Sequence, residues 1–299
     1  MRTMRRILLA VAAAPALLLA NPVGAMAFNI NEDFKPQNEF KLDSWIPIQI
    51  GPFDMSINKA VMYLLITCIL TVVLMIWVGN KMEARPNRVQ TAVETIYILM
   101  RDNIAGGNMD TRTAKRWFSF IATLFMFIWI SNMLGYIPLP TNTEHTVNIF
   151  GLELPTLAIY AATANLAVPL ALTLLVWFAY HYEGIRAKGP VKYLKGWVPA
   201  GVTGPAAVPI FFIEVISHFV RLVSLSVRLF ANILAGHLLI LFMGGGLAVL
   251  LGVAVLGIFT LPLAIAFYVF EVGLVATLQA FIFATLASIY FGGAVAEEH

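Results

Sequence analysis

Glu214, Arg221 and Arg228 stand seven residues apart, nearly two helical turns each time, in an otherwise apolar stretch from Pro205 to Met243. Ser217, His218, Ser224 and Asn232 each fall three or four residues from one of them. At about 100° per residue, all seven share a stripe roughly a third of a helix circumference wide. An ionisable group in a membrane helix costs about 2.5–3.5 kcal/mol on insertion scales, so this stripe must face protein, or water held by protein. Arg228 is the most demanding member, about 20–25 residues into a helix that starts after Gly204. Its guanidinium keeps its proton at any accessible pH. Such a charge suits an electrostatic gate for a moving carboxylate and cannot itself carry protons. Glu214, His218 and Arg221 admit a second reading, as groups near the cytoplasmic helix end that snorkel or pair with one another.

His237 and Glu271 form a titratable pair further along the chain. Histidine titrates near neutral pH and a desolvated carboxyl can be brought toward the same range, so both could relay protons. A buried His–Glu hydrogen bond that locks two helices together is the alternative. Gln279 places an amide in an apolar setting, where it could orient Arg228 or water, or join two helices. A metal site needs more ligands than these, and the single Cys68 adds none. No phosphate-binding loop, Ser/His/Asp set or metal-spaced Cys/His set occurs. Neither a cofactor nor a catalytic site is predicted.

The elements that must position these residues follow from composition. Of 299 residues, 60% are hydrophobic and 12% charged, with a mean hydropathy of +0.84. Soluble domains carry about 25% charged residues, so a water-soluble enzyme is excluded and a polytopic membrane protein indicated. Nucleic-acid binding has no basic, aromatic-laced stretch to support it. Arg2, Arg5 and Arg6, the apolar run from Ile7 to Ala20 and Ala25-Met26-Ala27 have the layout of a secretory signal peptide over 1–27. Phe28 would begin the mature chain and 28–56 an extracytoplasmic segment, with a single membrane domain over 57–299.

Five long apolar stretches, each near or above the ~20 residues of a spanning helix, follow. They are Ala60 to Asn80, Trp117 to Thr143, Leu154 to Tyr180, Pro205 to Met243, and from the triple glycine at Gly244 to Phe291. Seven Lys and Arg from Lys81 to Arg116, and four from Arg186 to Lys195, lie in the first and third connections; none lies in the second. The positive-inside rule then puts the mature N-terminus outside and the C-terminus in the cytoplasm. Val89, Ala92, Val93, Ile96, Leu99 and Met100 recur at helical spacing over Pro86 to Arg101, as in an amphipathic interfacial or connector helix. The predicted fold class is an all-α integral membrane protein of about five spanning helices, the last two long and tilted. Gly252, Gly257 and Pro262 predict a kinked or partly re-entrant segment before Glu271.

The string Ser224-Leu225-Ser226-Val227-Arg228-Leu229-Phe230-Ala231-Asn232-Ile233-Leu234-Ala235-Gly236-His237 resembles the signature of the subunit a family of F-type ATP synthases. Ser131 to Pro138, Thr163 to Leu166 and Leu278 to Phe283 resemble further segments of that family. The resemblance covers most of Lys41 to Tyr290. It implies that Arg228 is the family's essential arginine, with Gln279 and Asn232 beside it. It implies an outlet half-channel past Ser224, Ser217 and Glu214, and an inlet past Glu271, His237 and Asn132. His237 and Glu271 resemble the pair of mitochondrial and alphaproteobacterial members. One departure is visible: Glu271 precedes Gln279 by eight residues, where the family's acidic position usually lies seven before.

The implied function is that of a non-catalytic stator subunit of the membrane sector, coupling proton flow to ring rotation and ATP synthesis. The implied partners are rotor-ring subunit c with its membrane carboxylate, peripheral-stalk subunit b, the rest of the complex and the lipid bilayer, in a bacterial inner membrane. The competing class is a secondary transporter in which Arg228 binds a substrate carboxylate; the odd number of crossings and the missing internal repeat weigh against it. Orientation is open to direct measurement. Single cysteines at Asn148 and Gly189, in a Cys68→Ala background, should react oppositely with an impermeant maleimide. Asn148→Cys should label in intact cells and Gly189→Cys only after the membrane is opened; the reverse pattern overturns the assignment.

Overall fold

A computed structural model describes residues 40–50, 53–54, 56–82, 87–141, 146–149, 152–155, 157–198, 202, 204–246 and 256–296. The predicted leader, the start at Phe28 and Gly252 lie outside these residues. Helices occupy the apolar runs, and short side-chain caps set several of their beginnings. Helix α1, Lys59–Asn80, starts where Asn58 Oδ1 accepts the Val61 N–H at 3.1 Å. Helix α2, Arg88–Ile98, is capped by Asn87, whose Oδ1 accepts the Gln90 N–H at 2.9 Å. It continues through a π-helical turn, Leu99–Ala105, into Gly106–Asn108. Helix α3, Thr111–Gly135, begins at Asp110, whose carboxylate accepts the Arg112 and Thr113 amides at 3.0 and 3.2 Å. Helix α4, Ala167–Lys188, begins at Asn165, which accepts the Ala167 N–H at 3.0 Å. Gly189, at φ +81°, ends it, and Pro190 opens the short α5, Pro190–Lys195.

Helix α6, Ala207–Leu241, has 35 residues, and at 1.5 Å per residue runs about 52 Å. Helix α7, Leu256–Phe270, passes through Pro262 and joins helix α8, Ala276–Val295, by a π-helical turn, Glu271–Val275. Both assemblies exceed the ~30 Å of a hydrocarbon core, as expected for the last two long spanning segments. Among the described residues, five segments are long and apolar enough to cross: Lys59–Asn80, Thr111–Gly135, Ala167–Lys188, Gly204–Gly244 and Ile258–Val295. The chain is an all-α membrane protein, as its composition predicts.

Three departures from the sequence reading have local causes. The third apolar run becomes helical only at Ala167, not at Leu154. Its first part forms β5, Leu152–Pro155, paired antiparallel with β4, Thr146–Ile149, so that Val147 faces Leu154 and Asn148 faces Glu153 in register. Thr-Val-Asn-Ile and Leu-Glu-Leu alternate polar and apolar, the period of a strand. Shorter pairs join β1, Gln49–Ile50, to β2, Phe53–Asp54, and β3, Leu139–Pro140, to β6, Leu157–Ala158. The second apolar run likewise leaves its helix at Gly135, well before Thr143. Finally, Gly257 and Pro262 do not break the segment before Glu271: both lie within continuous α7. Pro262 removes one backbone donor, which a membrane helix tolerates when neighbouring groups adjust.

The chain divides into two compact units. The first comprises Met1–Thr67, Ile130–Ala164 and Asn232–Thr277. Its core packs Ala60, Tyr63, Leu134, Tyr160 and Ala162 in one cluster, and Tyr136, Ile159, Ile240, Tyr268 and Ala276 in another. The second comprises Cys68–Trp129, Asn165–Ala231 and Leu278–His299. There Trp117 packs on Phe291 with ring centroids 4.5 Å apart, and buried Glu183 pairs with Arg116 of α3. A Cβ at Gly292 would strike the Asn108 carbonyl, so only glycine lets α8 approach there.

The Asp110 cap gives a measurable consequence. Its bonds to Thr113 and Arg112 hold its carboxyl below the ordinary carboxylate range. The cap is therefore fully present above that range and is lost as pH falls through the lowered folded value. Asp110→Ala should cost about 1 kcal/mol locally. Amide exchange at Arg112 and Thr113, read by mass spectrometry near neutral pH, should then rise about fivefold; unchanged protection would show that the cap contributes nothing.

Candidate functional site

The first unit buries a polar network at the end of α3. Asn132 is fully buried; its Nδ2 donates to the Ala276 carbonyl at 3.2 Å, and its Oδ1 accepts from Thr163 Oγ1 at 2.8 Å. Four residues on, the Tyr136 hydroxyl donates to Glu271 Oε2 at 3.1 Å, while Tyr268 donates to the Tyr136 carbonyl at 2.8 Å. His237, fully buried on α6, holds Nδ1 at 2.9 Å from the Ile233 carbonyl and Nε2 at 3.0 Å from the Gly135 carbonyl. The Tyr136 ring lies over the His237 ring, centroids 4.4 Å apart. His237 and Glu271 are thus in one cluster but make no direct hydrogen bond among the described residues. The direct His–Glu bond considered from sequence is replaced by a tyrosine that touches both. Two glycines make the approach possible: a Cβ at Gly135 would overlap Ala161, and one at Gly236 would fall on the Glu271 carboxylate.

The second unit holds the other sequence-predicted cluster. Glu214 Oε1 accepts from Arg221 Nη2 at 3.1 Å and lies 3.8 Å from His218 Nε2. His218 Nδ1 and the Tyr180 hydroxyl are 2.9 Å apart. The Tyr193 hydroxyl meets His181 Nδ1 at 2.7 Å, and the two histidine rings lie 4.8 Å apart by centroid. Glu214, His218 and Arg221 therefore pair with one another, as the second reading of the stripe anticipates. Ser217 turns inward on its own helix, donating to the Ile213 carbonyl at 3.0 Å.

Along α6 the polar stripe is not uniform in exposure. His218 is buried, Glu214, Ser217 and Arg221 are half-buried, and Ser224, Arg228 and Asn232 are exposed beside Val220, Val223 and Val227. Arg228 has neither an ion pair nor a hydrogen bond among the described residues. Gln279 on α8 is buried. The π-helical turn after Glu271, in which the Ala276 N–H donates to the carbonyl five residues back, accounts for the eight-residue spacing to Gln279. On a straight α-helix residues eight apart lie about 80° out of phase. One residue absorbed in a π-bulge brings this to about 20°, the phase of residues seven apart.

Tyr136, Thr163 and Tyr268 are the network members that sequence reasoning missed as site residues. Tyrosine and threonine in apolar helices carry little polar signal, and their partners stand 31 to 135 positions away.

These features define a class: a polytopic helical membrane protein with buried titratable groups and, among the described residues, an arginine without an ion pair on a long apolar helix. Comparison with known proteins makes the assignment specific. Residues 61–292 match the ATP synthase A chain family, and the chain belongs to it. It is 33% identical to the ATP synthase subunit a of Rubrobacter xylanophilus over 251 residues, covering 83% of this chain and 88% of that one. It is 32% identical to that of Maricaulis maris over 278 residues, 89% and 99% of the two chains. With that of Bradyrhizobium diazoefficiens it shares 34% identity over 270 residues, 88% and 98%. The protein is accordingly a membrane component of an ATP synthase.

The glycine at 236 can be tested without any assay of transport. Gly236→Ala puts a methyl where the Glu271 carboxylate lies, so the carboxylate must shift off its bond to Tyr136, and losing that hydrogen bond costs about 1 kcal/mol. The melting temperature of the purified complex, or its yield on native gels, should fall; a wild-type value for both would show that Glu271 does not rest on this backbone.

Proposed function

We propose that this chain is the stator half of the proton path in the membrane sector, forming two half-channels against the rotor ring. One observation carries the reading. Arg228, 21 residues beyond Ala207 on α6, is exposed and has no carboxylate partner among the described residues. A permanent charge at such a position, among exposed valines, needs a counter-ion from outside the chain. A membrane carboxylate on rotor subunit c supplies one. The inlet runs past Glu271, His237 and Asn132, which the first unit gathers into one network. The outlet runs past Ser224, Ser217 and Glu214, which lie before Arg228 on α6. A ring carboxylate takes a proton from the inlet, travels with the ring, and releases the proton to the outlet. Arg228 stabilises it while it is ionised and, being unable to lose its own proton, blocks a direct leak. Gln279, held in phase with Glu271 by the π-helical turn, supplies an amide to the same helix face.

The subunit performs no covalent chemistry in this reading; ATP synthesis belongs to the rest of the complex. Subunit b and the remaining membrane sector hold it against the ring. The mature N-terminus lies outside and the C-terminus inside the cell, in keeping with the basic connections. The membrane domain is single and extends over 57–299, the first 27 residues being a cleaved leader.

The decisive experiment replaces the arginine. Arg228→Ala should abolish proton-driven ATP synthesis in inverted vesicles while the complex assembles normally, since its side chain has no charged partner among the described residues. Arg228→Lys should lose at least about tenfold, because a compact ammonium lacks the planar fork and deprotonates more readily. Near-normal synthesis by an assembled Ala variant would sink the channel reading.

A further inference from the structure

The first unit poses a question that the His237–Glu271 pair leaves open: what holds Glu271. A neutral imidazole has one N–H and one lone pair. Both ring nitrogens of His237 already face backbone carbonyls, at 2.9 and 3.0 Å. The neutral ring donates to one of these carbonyls and a protonated ring to both, and no His237–Glu271 hydrogen bond forms among the described residues. His237 therefore serves as an anchor between α6 and the end of α3. The side chain that does reach Glu271 is Tyr136, 1% exposed, through its hydroxyl on Oε2 at 3.1 Å.

Tyr136 is itself held from three sides. Its carbonyl accepts the Tyr268 hydroxyl at 2.8 Å. Its ring lies over His237 at 4.4 Å and meets Tyr268 edge-on at 6.1 Å. Its neighbour Gly135 gives His237 the carbonyl that fixes the imidazole. The titratable groups around Glu271 are thus Tyr136 from the segment after α3, His237 from α6 and Tyr268 from its own α7; no lysine, arginine or second carboxylate contacts it among the described residues.

We propose that Tyr136 is a positioning residue of the inlet path, its hydroxyl fixing Glu271 Oε2 so that Oε1 is the oxygen that gains and loses the transported proton. The hydroxyl donates to Oε2 whether Glu271 is ionised or carries its proton on Oε1. The bond therefore persists through both states, and proton exchange at Oε1 needs no rearrangement of the aromatic framework. The proton goes onto Oε1 and leaves from it; Tyr136 keeps its own. This inference rests on the proposed channel function and refines its inlet.

The test is Tyr136→Phe, which keeps the ring on His237 and Tyr268 and removes the hydroxyl alone. Whole complexes in inverted vesicles are assayed for proton-driven ATP synthesis and ATP-driven proton pumping across a pH series, each rate divided by the assembled complex on native gels. The Phe variant should turn over about three- to tenfold more slowly, with the midpoint of its pH profile moved by about half a unit or more, as expected for loss of one hydrogen bond to the titrating group. A merely structural hydroxyl would lower the assembled amount and leave the per-complex pH profile in place. Adding Tyr136→Phe to Glu271→Gln should change nothing further, because the residue acts through that carboxyl. Wild-type rate and profile per complex overturn the proposal, as does a second, additive loss in the Glu271→Gln background. Failure of the Phe variant to assemble at all also overturns it, since the hydroxyl would then be needed for folding. Arg228→Ala, run beside these, keeps the two readings apart: if it blocks transport while Tyr136→Phe does not, the channel stands and only the role of Tyr136 falls.

Discussion

A guanidinium that cannot be neutralised, carried on the exposed face of a long apolar helix, is the constraint on which the rest of this structure turns. Removing a polar or charged group from water without a partner is costly, and hydrocarbon offers no partners. For several other polar groups within the apolar segments the chain finds an internal solution. Asn132 is satisfied by Thr163 and the Ala276 carbonyl. Glu183 has Arg116, and Glu214 has Arg221 with His218 nearby. Arg228 has no such partner among the described residues. Under the proposed function there is a reason for such an arrangement, because a permanent internal partner would compete with a carboxylate brought by another subunit.

The buried networks depend in turn on close backbone approach. Glycine at 135, 184 and 236 removes side chains that would collide with Ala161, Tyr193 and the Glu271 carboxylate. Small residues at helix contacts are the usual means of close packing in membranes. Here they also bring polar groups into reach. Gly236 seats the carboxylate directly on α6, and Gly184 lets the Tyr193 ring lie against α4 with its hydroxyl on His181. The π-helical turn after Glu271 works along the helix as these glycines work across it. It shifts the phase of one polar residue by about one position without interrupting the apolar segment.

Much was legible before any coordinates. The seven-residue spacing of Glu214, Arg221 and Arg228, the five charge-poor runs and the signature around Arg228 are properties of contiguous sequence. Helical phase follows directly from position within one helix. The caps at Asn87 and Asp110, where a polar side chain accepts from an amide two or three residues ahead, are equally local but were not read from the sequence. Where local signals conflicted, the reading slipped. The alternation in Thr146–Ile149 and Leu152–Pro155 was hidden by the length of the apolar run, and Pro262, a breaker in water, sits inside α7.

Tertiary structure decided which members of a shared stripe turn inward and which face out. His218 is buried and Arg228 exposed on one helix, and periodicity cannot supply that distinction, because it fixes angles between residues but not the direction of the bundle. It also decided that His237 and Glu271 meet through Tyr136 rather than each other. Their partners are 102 and 135 positions away in sequence, and no local rule relates residues so far apart. The chain's sequence by itself thus determined its solvent, the number of its spanning segments, its family and the polar stripe that holds Arg228. The fold alone determined which polar groups meet, because hydrogen bonding in an apolar interior is settled by which backbones can approach.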